Sequence, residues 1–168
     1  LFLLIWTLLE FKDGHSKIKL DFSFLIFCFL FTTIIAGAFV AGMDAGLMYN
    51  EYPLMGYSLI PENYGEYGFF DPFENPASAQ FHHRHIALFT TIFILIYCYK
   101  NYTNYSDKIV KKCSLFMCAI VCFQFLLGIF TLINMVPIYL GALHQTGAVI
   151  LFITLTVIMH RLNIVKIN

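Results

Sequence analysis

The stretch PASAQFHHRHIALFTTIFILIYCY, residues 76–99, decides how the rest of the chain is read. It begins on Asn75-Pro76, a capping side chain followed by the residue best suited to the first helical position. From Ile86 to Tyr99 it carries no charge, and at about 20 apolar residues a helix is long enough to cross a bilayer. Its first turns nevertheless hold His82, His83, Arg84 and His85. Ionisable groups inside such a helix are costly and usually mark function.

Three more runs of spanning length lie around it, at Phe22–Met43, Cys113–Asn134 and Pro137–Met159. The chain as a whole is 60% hydrophobic and 12% charged, with a mean hydropathy of +0.76. A soluble domain carries about 25% charged residues, so the sequence reads as an all-α, polytopic membrane four-helix bundle. A net charge of zero offers none of the basic footprint that nucleic acid requires. The short links between the last three runs make them antiparallel neighbours. The long connection 44–75, rich in Gly, Pro, Tyr and Asn, sets the first run apart from the second.

Nine of the ten basic residues fall on one side of these spans: Lys12, Lys17, Lys19, Lys100, Lys108, Lys111, Lys112, Arg161 and Lys166. Basic residues collect on the cytoplasmic face, so that side is expected to be the cytoplasm, or the matrix of a mitochondrion. The loop 44–75 is then on the outer side, where its tyrosines suit the lipid headgroup level. The expected location is a bacterial cell membrane or the mitochondrial inner membrane. Leu1–Leu9 is too short to span and reads as the tail of an earlier helix, which gives two parts: 1–19, tail and inner loop, and 20–168, the transmembrane bundle. The five cysteines form no CxxC pair and read as small apolar packing residues.

His83 lies seven residues beyond Pro76, and His144 seven beyond Pro137. At 1.5 Å per residue both are about 10 Å into the bundle, and both helices begin on the same side. Adjacent helical residues point about 100° apart, so His82, His83 and His85 cannot share one partner. His83 alone matches the depth of His144. Gly141, Gly147 and Ala148 leave the surface around His144 nearly bare, and Ala87 follows His83 by one turn. Helix positions Ala36, Gly37, Ala38, Ala41, Gly42 and Gly128 are also small, which suits either close packing or a flat ligand. Two imidazoles at one level suit axial ligation of a haem iron. A zinc site wants three or four ligands. Histidines satisfied within a core or pore, and another metal, are the alternatives. Arg84 leans outward, toward either a haem propionate or Asp44, Glu74 and the lipid headgroups.

The run Gly37-Ala-Phe-Val-Ala-Gly-Met-Asp-Ala-Gly-Leu-Met-Tyr-Asn50, with Tyr52-Pro-Leu-Met-Gly56 and Ile60-Pro61, resembles the haem A synthase family. So do Phe73-Glu-Asn75, Gln80-Phe-His-His-Arg84, Gln124 with Gly128, and Leu143-His-Gln-Thr-Gly-Ala148. The likeness runs over about residues 20–162 and corresponds to the C-terminal half of a two-bundle, eight-helix architecture. It implies a b-type haem held by His83 and His144, with His82 standing where the family usually has Asp. It implies an enzyme that oxidises a methyl group of haem O to formyl, giving haem A for cytochrome oxidase. The substrate haem and catalytic carboxylate would belong to the missing N-terminal half. Partners implied with it are the lipid bilayer, haem O synthase and cytochrome oxidase assembly factors. The competing class is a di-histidine b-type cytochrome anchor that only relays electrons. A proton-conducting pore is a third, for which the discontinuous helices expected of transporters are missing.

Overall fold

A computed structural model describes residues 1–164; Lys166, one of the nine basic residues counted above, lies outside them. Among the described residues there are six α-helices, α1 (Phe2–Asp13), α2 (Phe22–Gly42), α3 (Asp71–Glu74), α4 (Pro76–Asn104), α5 (Lys108–Ile133) and α6 (Ile138–Leu162), and two short 3-10 turns in the long loop. Four of them, α2, α4, α5 and α6, are long and apolar enough to cross a membrane. A helix start leaves backbone N–H groups that need a partner outside the helix. Asp21 accepts from Ser23 N–H at 2.9 Å, Asn75 from Ala77 N–H at 3.0 Å, and Asp107 from Ile109 N–H at 2.7 Å. Pro76 occupies the first helical position of α4, as expected. Pro137 sits one residue earlier, at the cap of α6, because the turn before it is very tight. Met135 and Val136 there take left-handed backbone angles, φ +63° and +52°.

Two boundaries differ most from the sequence reading. The apolar run of α4 ends at Tyr99, but the helix continues to Asn104, and α5 begins at Lys108 rather than Cys113. The polar link therefore shrinks from Lys100–Lys112 to three residues. Asn101 is buried, and Lys100 Nζ stands 4.9 Å from the centre of the Phe22 ring, so tertiary contacts carry the helix past its apolar stretch. Phe2–Leu9 belongs to α1, which lies against α6 with Trp6 packed edge-on to His160, ring centres 5.1 Å apart.

The spans form a ring in the order α2, α4, α5, α6, with α6 returning to α2. That order sets α4 and α6 across a diagonal, with the bundle interior between them. One contiguous apolar core includes Ile26, Leu30, Ile94, Met117, Val121, Leu151, Leu155 and Met159. All lie in the middle or toward the basic end, where α4 finishes and α5 begins. Toward the other end, which carries the 44–75 loop, the buried residues of the spans are Ala77, Ser78, Ala79, Gln80, Thr90, Gln124, Leu127, Thr131, Leu140 and Gly147. Most of these are small or polar.

Candidate functional site: two glycine-backed histidines

His83 on α4 and His144 on α6 project from diagonally opposed helices in the loop-end half of the bundle. With Pro137 outside the helix, their depths differ by one residue, about 1.5 Å. Each ring rests against a glycine of the next helix in the ring. A Cβ on Gly37 of α2 would lie 3.0 Å from His83 Cε1, and one on Gly128 of α5 would lie 3.0 Å from His144 Cε1. Both rings thus occupy notches that no other residue leaves open without movement. In each the Nδ1 atom is buried and unpaired. Nε2 has no hydrogen-bond partner either, and it is not among the enclosed atoms.

The surroundings are built from amides and small side chains. Gln124, buried on α5, fills the notch of Gly147: a Cβ there would fall 1.7 Å from its Nε2. Gln80, one turn before His83 on the same face, donates to Tyr49 C=O at 3.1 Å. Its Oε1, like that of Gln124, is buried without a partner. Residues 80 and 124 entered the sequence reading only through the family likeness. Pattern gives no warning that their amides are enclosed. Their offsets of three or four residues from His83 and Gly128 are the signal that could have pointed to them.

The neighbouring histidines are turned elsewhere, as helical periodicity requires. His82 meets the Tyr64 hydroxyl at 3.3 Å and borders a cleft of about 250 Å³ with Ala36, Phe39 and Phe73. His85 Nδ1 is 2.8 Å from Phe81 C=O. His160, assigned no role by sequence, is buried at the basic end against Trp6. Among the described residues no three His, Cys, Asp or Glu side chains converge as a metal cluster.

Arg84 pairs with neither Asp44 nor Glu74. Its guanidinium donates to two loop carbonyls, Leu54 at 3.1 Å and Tyr49 at 2.8 Å, because its side chain leans back toward the start of α4 and meets the loop there. The loop has a second fastening that sequence did not reveal. Asp71, buried in α3, accepts from Gly65 N–H at 2.8 Å, Tyr67 N–H at 3.0 Å, Asn75 at 3.2 Å, and the Ser78 hydroxyl. Burial works against its charge, but the bonds from Ser78, the two backbone groups and Asn75 outweigh that and hold its carboxyl at about 2.

Residues 1–156 match the COX15-CtaA family, described as cytochrome oxidase assembly protein. The chain is 36% identical to a haem A synthase of Maricaulis maris over 90% of its own length and 46% of that protein. For the haem A synthase of Pelagibacter ubique the figures are 33%, 95% and 48%. For mouse haem A synthase COX15 they are 37%, 73% and 30%. The chain spans about half the length, or less, of the curated relatives it matches. No solved structure matches it. On a match that takes in α1 to α5 and both histidines, the chain belongs to the haem A synthase family.

Proposed function

We propose that this chain is the haem b-binding bundle of a haem A synthase, with His83 and His144 as the two axial ligands. The observation that carries the reading is the glycine-backed imidazole on each of two diagonal helices at nearly one depth. The donor set fits the group: two neutral imidazoles with free Nε2 atoms, facing an interior lined by small residues, suit a low-spin haem iron. When bound, the haem supplies a one-electron relay. The protein's part is to fix the two rings, to exclude water through the packed half below, and to close the upper end with the loop. Two of the five N–H groups of Arg84 hold the loop, and the others, the unpaired Nε–H among them, would be free to meet a propionate.

The whole protein would oxidise a methyl group of haem O to formyl. In that reading the reacting haem belongs to residues outside this chain, because no carboxylate of the described spans stands beside the histidine pair. Residues 1–168, expressed in cells that make haem O but lack the synthase, are expected to show a bis-imidazole spectrum and no haem A. Formyl haem in the extract would move the catalytic site into this bundle. His83→Ala or His144→Ala should abolish the spectrum, whereas His82→Ala and His85→Ala should largely keep it. An unchanged spectrum in His144→Ala would end the assignment. A protein whose full-length form never yields formyl haem would be the electron-relaying cytochrome anchor instead.

The orientation follows the same reading: loop 44–75 outside, basic end inside. Single cysteines at Ser58 and Ser106, in a cysteine-free background, should label with an impermeant thiol reagent from opposite sides. Labelling of both from the same side would overturn the topology.

A further inference from the structure

The two ligand positions are built alike. On α2, Thr33 precedes Gly37 by four residues; on α5, Gln124 precedes Gly128 by four. In a helix the carbonyl at the first of each pair accepts the N–H of the second, and a carbonyl has a lone pair to spare. A Cβ on the second residue would overhang that carbonyl from the side, and glycine removes it. His83 and His144 lie in these gaps, with Cε1 3.0 Å, Nδ1 3.5 and 3.6 Å, and Nε2 3.6 Å from the positions such a Cβ would take. The backbone of Thr33 stands beside the His83 ring and that of Gln124 beside the His144 ring, and in each ring the buried Nδ1 has no hydrogen-bond partner. A buried donor in an apolar surrounding needs a partner. In both sites the carbonyl one turn before the glycine is on offer.

Building on the haem reading, we propose that Gly37 and Gly128 are positioning residues. Each opens the side of a helix so that an imidazole Nδ1–H donates to the backbone carbonyl one turn earlier, of Thr33 or Gln124. That bond fixes the tautomer with its lone pair on Nε2 and sets the plane of the ring. Ligand histidines generally donate their second nitrogen to a carbonyl or carboxylate. Here main chain supplies the acceptor, so no side-chain substitution can remove it, and the glycine is the position through which it is controlled.

The test uses the membrane-embedded protein loaded with haem. Gly37→Ala and Gly128→Ala push on the rings, whereas Gly42→Ala, at the exposed end of α2, places a methyl in open space and serves as the control. The first pair should lose about 10-fold in haem affinity, the lower bound for disturbing such outer partners. The same pair should move the largest g-value of the oxidised haem and its midpoint potential, with the control unchanged. A second arm does not depend on how the glycine variants fold. In His83→Ala, added imidazole should restore the bis-imidazole spectrum at a concentration at least about 10-fold lower than 1-methylimidazole, which has no N–H to donate. Wild-type g-values, potential and affinity in Gly37→Ala and Gly128→Ala, or equal rescue by the two imidazoles, would overturn the proposal. Absence of a bis-imidazole spectrum in the wild type would overturn the haem reading itself, which separates the two failures.

Discussion

The two halves of the bundle solve opposite problems with the same four helices. At the basic end Ile26, Ile94, Met117 and Leu155 are fully enclosed, and aromatic rings such as Phe27 and Phe152 meet with centres 5.3 Å apart. At the loop end the enclosed residues are mainly Ala, Ser, Gly, Thr and Gln, and the histidines stand among them. Lipid tails are as apolar as leucine, so a membrane bundle gains its cohesion from close packing rather than from escape from water. One half therefore supplies the cohesion, and the other is free to be shaped around a ligand. A site on a rigid base keeps its ring geometry without needing to be self-supporting.

The largest effect that would break this division is a cavity in the packed half. Met117→Ala should cost about 2 kcal/mol, the low end for such a truncation, because lipid is a good solvent for what is exposed. Unfolding midpoints in a denaturing detergent would measure it. The bis-imidazole spectrum of the folded fraction should stay unchanged, and a shifted spectrum would mean that the halves are not independent.

The reverse outcome is expected at Gly147. An alanine there must displace the buried Gln124 amide, a clash of the overpacking kind that costs about 1–3 kcal/mol. It recovers up to about 1 kcal/mol of helix propensity. Stability should fall less than in Met117→Ala while haem affinity falls several-fold, read by titration of haem into the apoprotein. Unaltered affinity would place Gln124 outside the site.

Asp71 tests the loop that closes the same end. Its carboxyl is held at about 2, below the ordinary 3.8. Its contribution is thus complete above about pH 4 and is lost as pH falls through about 2. Protease cleavage within residues 44–75 should rise over that window in the wild type, and in Asp71→Asn it should be high and flat across it. A wild-type loop that is equally resistant at both ends would show that Asp71 does not fasten it.

The smallest effect belongs to the seam where the halves meet. The hydroxyls of Thr33 and Thr90 are 2.7 Å apart between α2 and α4. A double-mutant cycle with valine should return about 0.6 kcal/mol, the average for interhelical hydrogen bonds in membranes. A coupling of zero would mean that this contact does not join the halves.

The spans were legible because each rests on a periodic or local signal. Apolar run length gave the helices, Asn75-Pro76 gave a start, and offsets from two prolines put His83 and His144 within one residue of a shared depth. What stayed hidden depends on which surfaces meet. Gly37 and Gly128 were visible as small residues, but nothing local says that one faces His83 and the other His144. Asp71 looked like one more loop acid, since its partners at 65, 67, 75 and 78 converge only when α3 and α4 have formed. The continuation of α4 to Asn104 was missed because burial of Asn101 runs against hydropathy.

Arg161, near the end of α6, donates to Asp107 at 3.1 Å and stands 3.4 Å from Asp13. Asp107 also caps α5 and Asp13 ends α1, so one guanidinium fastens three helices whose carboxylates are made long before it during synthesis. Until the ribosome has passed position 161, both acids wait without their cation at the basic end. The sixth helix therefore acts as a closing bolt, since its guanidinium is the last part of this three-helix contact to be made.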